Sequence, residues 1–200
     1  MSKRWLMDRK RDYYYRKAKT ENYRSRAAYK LIQLDERFNI FRQGDTVIDL
    51  GASPGGWTQV ASEKVGDSGH VIAIDMKPLE PIVGVELVRG DARSDSVKNE
   101  VNELLKGAKA NVILSDMAPN ISGNYELDHA RSIELAGMAL EYANIFLARG
   151  GTLAVKVFDG DMSKEFFDQL LKKFRHVKRF APKASRKTSS EIYMVGRGKK

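Results

Sequence analysis

The chain has 200 residues, 42% of them hydrophobic, which suits one α/β domain with a real core, and its lack of cysteine excludes disulfides, thiolate metal sites and cysteine-nucleophile chemistry. His70, His129 and His176 are scattered without metal-ligand spacing, no apolar run approaches the ~18 residues of a membrane span, and no leader is recognisable, so the expectation is a cytoplasmic, metal-free, membrane-free chain, monomeric by default. The net charge of +9 is polarised: residues 1–30 carry eleven Lys or Arg against three acids and residues 172–200 eleven against one, leaving a net acidic body whose two basic ends suit a polyanion.

Residues 1–22 are read as a basic extension, flexible and RNA-contacting, of a single domain spanning 1–200. Trp5, Tyr13, Tyr14, Tyr15 and Tyr23 are interleaved with its cations, which suits stacking on unpaired bases as well as phosphate contact. The other reading is a solvated tail anchored by its tyrosines. A helix is predicted over 22–37, where Tyr23, Ala27, Leu31, Leu34 and the nearby Phe38 make an apolar stripe flanked by Arg26, Lys30 and Arg37. Lys30 can then face a cleft while its helix packs on a sheet, or simply lie on a solvated basic edge.

"VIDLGASPGGWTQV" (47–60) follows as a strand, a turn rich in glycine and a helix over 56–64. The turn has neither the lysine of a P-loop nor the G-x-G-x-x-G spacing of dinucleotide sites. Its glycines still allow close backbone approach, and the helix start offers free N–H groups. Without a lysine, it suits a ligand whose near end is an amino acid or a cation. Further strands are predicted at 70–75, 85–88, 111–115, 151–158 and 190–196, with a weaker one near 176–180; further helices at 94–106, 126–148 and 162–174. "MKPLEPIVGV" (76–85) reads as a loop. Alternation of this kind implies a mostly parallel sheet with right-handed crossovers. The last two strands lack a helix between them, so one is expected to run antiparallel at the sheet edge.

Carboxylates stand at successive strand ends: Asp49, Asp75, Asp91 and Asp116. Asp75 lies 20 residues past Gly55, where dinucleotide folds grip ribose hydroxyls. Asp91 suits an exocyclic amine, because an ionised carboxylate only accepts. Any one of the four suits a helix cap or turn equally well; together they point to an adenosine-containing ligand without phosphates. Lys156 stands mid-strand in "GTLAVKVF", where a lysine is out of place unless exposed, guarding an edge, or functional. Buried in a cleft beside a second cation such as Lys30, an ammonium loses solvation and becomes a usable base.

"DLGASPGGWTQV", "VIAIDMKPLEPIVGV", "GDAR", "SDMAPNISG" and "AVKVFDG" together resemble the FtsJ/RrmJ (RlmE-type) family of S-adenosylmethionine-dependent ribosomal RNA 2′-O-ribose methyltransferases. The resemblance runs from "RSRAAYKL" (24–31) to "SSEIYMV" (189–195). It implies a Rossmann-like class I methyltransferase: α/β, a mostly parallel seven-stranded sheet with a terminal antiparallel strand, and helices on both faces. It further implies a Lys-Asp-Lys-Glu tetrad, matched by Lys30, Asp116, Lys156 and Glu191. S-adenosylmethionine would be contacted by Gly55, Trp57, Asp75, Asp91 and Asp116, with Asp49 and Gly51 in the same turn region. The implied partner is ribosomal RNA of the large subunit, assembled or assembling, and the implied target a uridine. In that setting Lys156 would take the 2′-hydroxyl proton or, kept protonated, steer. Asp116 would orient Lys156 or the cofactor's methyl end, and Glu191 would bond one of these groups or the ribose. "DMAPN" lacks the aromatic of amino-directed base methyltransferases, and carbon-5 methylation through a cysteine adduct is impossible. Methylation of tRNA anticodon loops and an inert RNA-binding assembly factor remain as alternatives.

Overall fold

The computed structural model describes residues 12–186 and 188–200; Trp5 and the rest of 1–11 lie outside the described residues. In chain order the elements are α1 (Tyr13–Thr20), α2 (Ala28–Phe38), β1 (Thr46–Leu50), α3 (Gly56–Val65), β2 (His70–Asp75), β3 (Val85–Arg89), α4 (Asp95–Leu105), β4 (Ala110–Ser115), α5 (Tyr125–Phe146), β5 (Leu147–Phe158), α6 (Asp161–Lys173), β6 (Phe174–Phe180) and β7 (Glu191–Lys199). The central strands are runs of Val and Ile because both faces of the sheet are covered. Their two-residue period sends Ile48, Ile72 and Ile113 to the face under α4, α5 and α6. Val47, Val71 and Val112 pack on the other face, with Leu31 and Leu34 of α2 and Val60 of α3. Full burial of each such side chain is worth roughly 1.5–3 kcal/mol.

The seven strands lie in the order β3-β2-β1-β4-β5-β7-β6. After β1 the chain moves outward through β2 and β3 and then returns to place β4 on the other side. That makes β1 and β4 the topological switch point, where the carboxyl ends of the strands open a crevice. β7 is the antiparallel strand, but it does not lie at the edge: it pairs with β5 on one side and β6 on the other. The crossover through α6 leaves a strand's width between β5 and β6, and the hairpin return fills it. The edges are therefore β3 and β6, and Lys156 on β5 is interior and buried, 7% exposed, so it guards no edge.

The helix expected over 22–37 starts later, as α2 at Ala28, and part of the segment read as a flexible extension forms the separate helix α1. Asp12 caps α1, accepting from the Tyr15 N–H at 3.1 Å. Asn22, with φ of 60°, takes the chain out of helical geometry before α2 begins. α1 is docked: Ala18 is buried, and the Tyr14 ring lies 5.5 Å from Tyr29, which is 5.7 Å from Tyr23. The anchoring reading thus describes Tyr14 and Tyr23, while Tyr13 is exposed. β5 begins at Leu147, earlier than expected, because Leu147 pairs with Ala110 before a register irregularity carries the strand through Gly150 and Gly151. The weak strand near 176–180 is the full β6.

Candidate active site

Gly51 leaves β1 with φ of +74°, and a Cβ built on it would lie 2.4 Å from Cγ of Met117. The turn is held to β2 by its own N–H groups: Gly51 and Ala52 donate to the Ile74 carbonyl at 2.9 and 3.1 Å, and Ser53 donates to Asp75 Oδ2 at 2.9 Å. Lys77 donates its N–H to the other Asp75 oxygen at 2.7 Å. Asp75 is thus oriented by backbone on both sides, and each oxygen keeps a lone pair for a hydroxyl. Beside it lies a depression of about 200 Å³ walled by Pro78, Leu79 and Leu87.

Gly55, with φ of +109°, starts α3 without any side-chain cap, so first-turn N–H groups of the helix stay open toward the crevice. Trp57 is on that turn, yet its indole is buried: its Nε1–H donates to the Ala27 carbonyl at 2.9 Å and its ring lies 5.6 Å from that of Tyr193. The Trp57 side chain therefore ties α3 to the start of α2, and what it turns to the crevice is backbone. Asp49 is buried below the turn, accepting from Thr58 Oγ1 at 2.7 Å, while its Oδ1 has no partner among the described residues. Burial pushes its carboxyl up to about 7; the Thr58 hydroxyl opposes this, and the Asp116 and Asp75 carboxylates add to it. Asp91 follows β3 and is partly exposed, its Oδ1 accepting the Arg93 N–H at 2.9 Å. That bond is a turn-residue role, and the exposed side leaves acceptor capacity free.

Asp116, Lys156, Lys30 and Glu191 come together at the carboxyl ends of β4 and β5. The Lys156 ammonium donates to the Asp116 carbonyl at 2.5 Å and to its Oδ1 at 3.0 Å. The Lys30 ammonium lies 2.6 Å from Glu191 Oε1. Because β7 runs antiparallel, its first residue Glu191 pairs with Phe158, the last residue of β5, and Tyr193 pairs with Lys156. The Tyr193 hydroxyl donates to Asp116 Oδ1 at 2.6 Å, and Lys30 Nζ sits 5.9 Å from the Tyr193 ring centroid. Tyr193 thus stands between the two ion pairs. Sequence reading passed over it, although its place two residues after Glu191 on a strand gives it the same face.

Electrostatically, the cluster alternates in sign. Burial raises the Asp116 carboxyl, but the Lys156 and Lys30 ammoniums and the hydrogen bonds from Tyr193 and Lys156 outweigh it and hold the group below the usual carboxylate range. Burial and the neighbouring carboxylates push the Tyr193 phenol well above its ordinary value, so it stays a donor. Among the described residues no group of His, Asp and Glu is arranged to hold a metal ion, and no helix is long and apolar enough to cross a membrane. The arrangement presents a buried amine, oriented from one side by a carboxylate, next to a crevice whose floor is backbone N–H groups and acceptors.

Residues 23–199 match the model of the FtsJ-like methyltransferase family. The ribosomal RNA large subunit methyltransferase E of Natronomonas pharaonis is 50% identical over 193 residues, covering 96% of this chain and 75% of that one. Its namesake from Methanobrevibacter smithii is 46% identical over 198 residues, covering 98% of this chain and 94% of that one. Among solved structures, a ribosomal RNA methyltransferase from Plasmodium falciparum is similar with a TM-score of 0.80 at 32% identity, covering 88% of this chain and 98% of that chain.

Proposed function

Starting from the fact that the chain belongs to the FtsJ-like methyltransferase family, we propose that it transfers the methyl group of S-adenosylmethionine to the ribose 2′-hydroxyl of a uridine in large-subunit ribosomal RNA. The relatives named for large-subunit methylation, at up to 50% identity over nearly the whole chain, support the substrate. The observation that carries the chemistry is the Lys156–Asp116 pair, set beside Lys30–Glu191 at the mouth of the switch-point crevice.

The crevice fits the cofactor. Gly51 admits no side chain, Asp75 is aimed by two N–H groups, and the start of α3 is uncapped. Asp75 would hold the ribose hydroxyls, Asp91 the adenine amine, and the backbone of Gly51, Gly55 and Trp57 the methionine end, over the floor made by Asp49. Bound there, S-adenosylmethionine supplies an electrophilic methyl on a cationic sulfur, with a neutral thioether as leaving group, so the protein need not protonate the leaving group. What the residues must supply is alignment and a home for the hydroxyl proton.

Lys156 takes that role: its Nζ is buried and held on one side by Asp116, at the carboxyl end of β4. Asp116 fixes its direction, Tyr193 fixes Asp116, and Glu191 holds Lys30 beside them. The two bonds that Lys156 donates to Asp116 also support a second reading, in which the ammonium is kept and steers the hydroxyl. A rate that rises with pH to a plateau set by Lys156 favours the base; a profile without such a limb favours steering.

The testing experiment offers labelled S-adenosylmethionine with large subunits, small subunits, free ribosomal RNA and bulk tRNA, each lacking prior methylation, and identifies the product nucleotide by digestion. The expected product is 2′-O-methyluridine in large subunits. Label in tRNA alone would move the substrate to anticodon loops, and no label despite cofactor binding would leave an inert assembly factor.

A further inference from the structure

The loop that leaves β4 at Asp116 runs to Tyr125, the first residue of α5, and the proposed chemistry makes no use of its apolar side chains. Ile121 and Tyr125 are 68% and 57% exposed, and Met162, at the start of α6, is exposed too. The segment is nevertheless tied down. The Asp128 carboxylate accepts the Ser122 N–H at 2.9 Å, the Ser122 hydroxyl at 2.8 Å and the Gly123 N–H at 3.2 Å. Asn124 caps α5 by accepting the Leu127 N–H at 3.2 Å.

The Tyr125 ring is fixed more firmly than its exposure suggests. It is stacked on His129, with centroids 6.1 Å apart and planes 7° apart, and its hydroxyl donates to the Asp159 carbonyl. His129 is buried and locked at both nitrogens. Its Nε2 accepts the Met162 N–H at 3.1 Å, which leaves the hydrogen on Nδ1, and Nδ1 donates to the Phe158 carbonyl at 3.0 Å. Gly160 makes room for the imidazole, since a Cβ there would come within 2.9 Å of three of its ring atoms. With one face of the phenol backed by a held ring, the other is what Tyr125 offers to solvent.

Connectivity sets this platform beside the candidate active site. Asp159 comes three residues after Lys156, at most about 11 Å of extended chain, and its N–H donates to the carbonyl of Ser190, the neighbour of Glu191, at 2.8 Å. Asp116, at the other end of the Tyr125 loop, is the carboxylate that holds Lys156. Glu126, Asp128, Asp159 and Asp161, the charged residues flanking the ring and its tether, are all acids. They disfavour a phosphate at this spot, so what the ring can take is a planar, uncharged group.

We infer that the Tyr125 ring stacks on an unpaired base of the RNA substrate next to the ribose presented to Lys156, with Ile121 and Met162 as apolar flanks. The inference rests on the proposed RNA substrate. Every base has a π face, so the contact positions the strand without reading its sequence. A ring braced by His129 and Asp159 before binding has little freedom left to lose when a base arrives.

The test uses the full chain with Tyr125→Leu, Tyr125→Phe and, as a control for exposed apolar surface, Leu171→Ala on α6. Methyl transfer is measured on large subunits and on free ribosomal RNA lacking prior methylation, across a salt series, with cofactor affinity measured separately. Tyr125→Leu should raise the KM for RNA at least fivefold, the lower end of what losing one base–aromatic stack costs. Tyr125→Phe, which keeps the ring, should stay within threefold of the parent, and Leu171→Ala should match it. Cofactor affinity and the slope of log KM against log salt should not change, because no phosphate contact is lost. A parental KM in Tyr125→Leu overturns the inference, as does a Tyr125→Phe as impaired as Tyr125→Leu. A loss seen with large subunits but not with free RNA also overturns it, since the ring would then meet protein. If the unsubstituted protein methylates no RNA, the functional reading has failed instead. The platform is then judged by the indole fluorescence of Tyr125→Trp titrated with single-stranded oligouridylate: quenching beyond that of the parent supports it, and equal quenching overturns it.

Discussion

Tyr193 lies directly across the β5–β7 ladder from Lys156, and both send a donor to the same oxygen of Asp116, at 2.6 and 3.0 Å. Lys156 is thus aimed by a carboxylate that a second, uncharged residue holds in place. Tyr193→Phe removes that hold while leaving the ammonium–carboxylate pair. A hydrogen bond to a charged group is worth roughly 1.5–3 kcal/mol. The expected result is a kcat lowered severalfold with cofactor affinity unchanged. A loss of a hundredfold would make the phenol a direct participant, and no loss would reduce the ring to packing between Trp57 and Lys30.

Lys156→Met should abolish methyl transfer while cofactor affinity stays within about threefold, because Lys156 is the amine held at the crevice mouth and the residues fitted to the cofactor lie on other elements. General-base catalysis contributes about 10²–10⁴-fold. A kcat that survives within tenfold, measured in single turnover with saturating cofactor, would remove Lys156 from the chemistry. Cofactor binding that collapses would show that its removal had disordered the Asp116 end of the crevice.

Much of this was legible in the chain, for identifiable reasons. The runs of Val and Ile, the glycines after Leu50 and the acids at strand ends are all local signals, and each fell where the structure has it. The pairing of Glu191 with Lys30, by contrast, depends on β7 inserting between β5 and β6, and no local pattern announces which slot an antiparallel strand takes. α2 starts at Ala28 and not at 22, because the chain between Glu21 and Ala27 runs through turns and bends, with Asn22 at φ of 60°. The late start passed unseen because Tyr23 and Ala27 continue the apolar spacing of Leu31 and Leu34 back through that segment. Trp57 was legible as belonging to the site but not as a buried strut, since the carbonyl that accepts its indole N–H belongs to Ala27, thirty residues earlier.

Asp49 makes stability depend on pH. Its folded value is pushed up to about 7 from an ordinary 3.8, so between those values the folded chain binds more protons than the unfolded one. Stability is therefore fullest below the ordinary value and declines as pH rises through about 7. At about 1.36 kcal/mol per unit the whole effect is on the order of 4 kcal/mol. Asp49→Asn keeps an acceptor for Thr58 and removes the titration. Thermal unfolding from pH 4.5 to 8.5 should be flatter for the variant than for the parent, with the two curves separating toward high pH. Parallel curves would mean that Asp49 is ionised throughout.

Gly51→Ala places a methyl 2.4 Å from Cγ of Met117, at a φ of +74° that disfavours a side chain. The turn should shift, and cofactor affinity should fall by tenfold or more. Because the nearest obstacle is a flexible side chain, Gly51→Ala with Met117→Ala should regain part of the affinity, the backbone strain remaining. Calorimetric titration with S-adenosylmethionine reads both. Full recovery would assign the whole effect to the clash, and none would assign it to the turn itself.

Trp57→Phe separates a strut from a wall. The phenyl ring keeps most of the packing against Tyr193 but leaves the Ala27 carbonyl without its donor, at a cost of about 1–3 kcal/mol. For a chain of this size a loss of 1 kcal/mol corresponds to roughly 2–4 °C in Tm. Ala27 immediately precedes α2, the helix that carries Lys30, so the loosened joint is felt at the Lys30–Glu191 pair. The expected outcome is a lower Tm and a reduced kcat with cofactor affinity nearly unchanged, because Trp57 turns backbone and not indole to the crevice. A cofactor affinity that falls while Tm holds would place the indole against the ligand and overturn the strut.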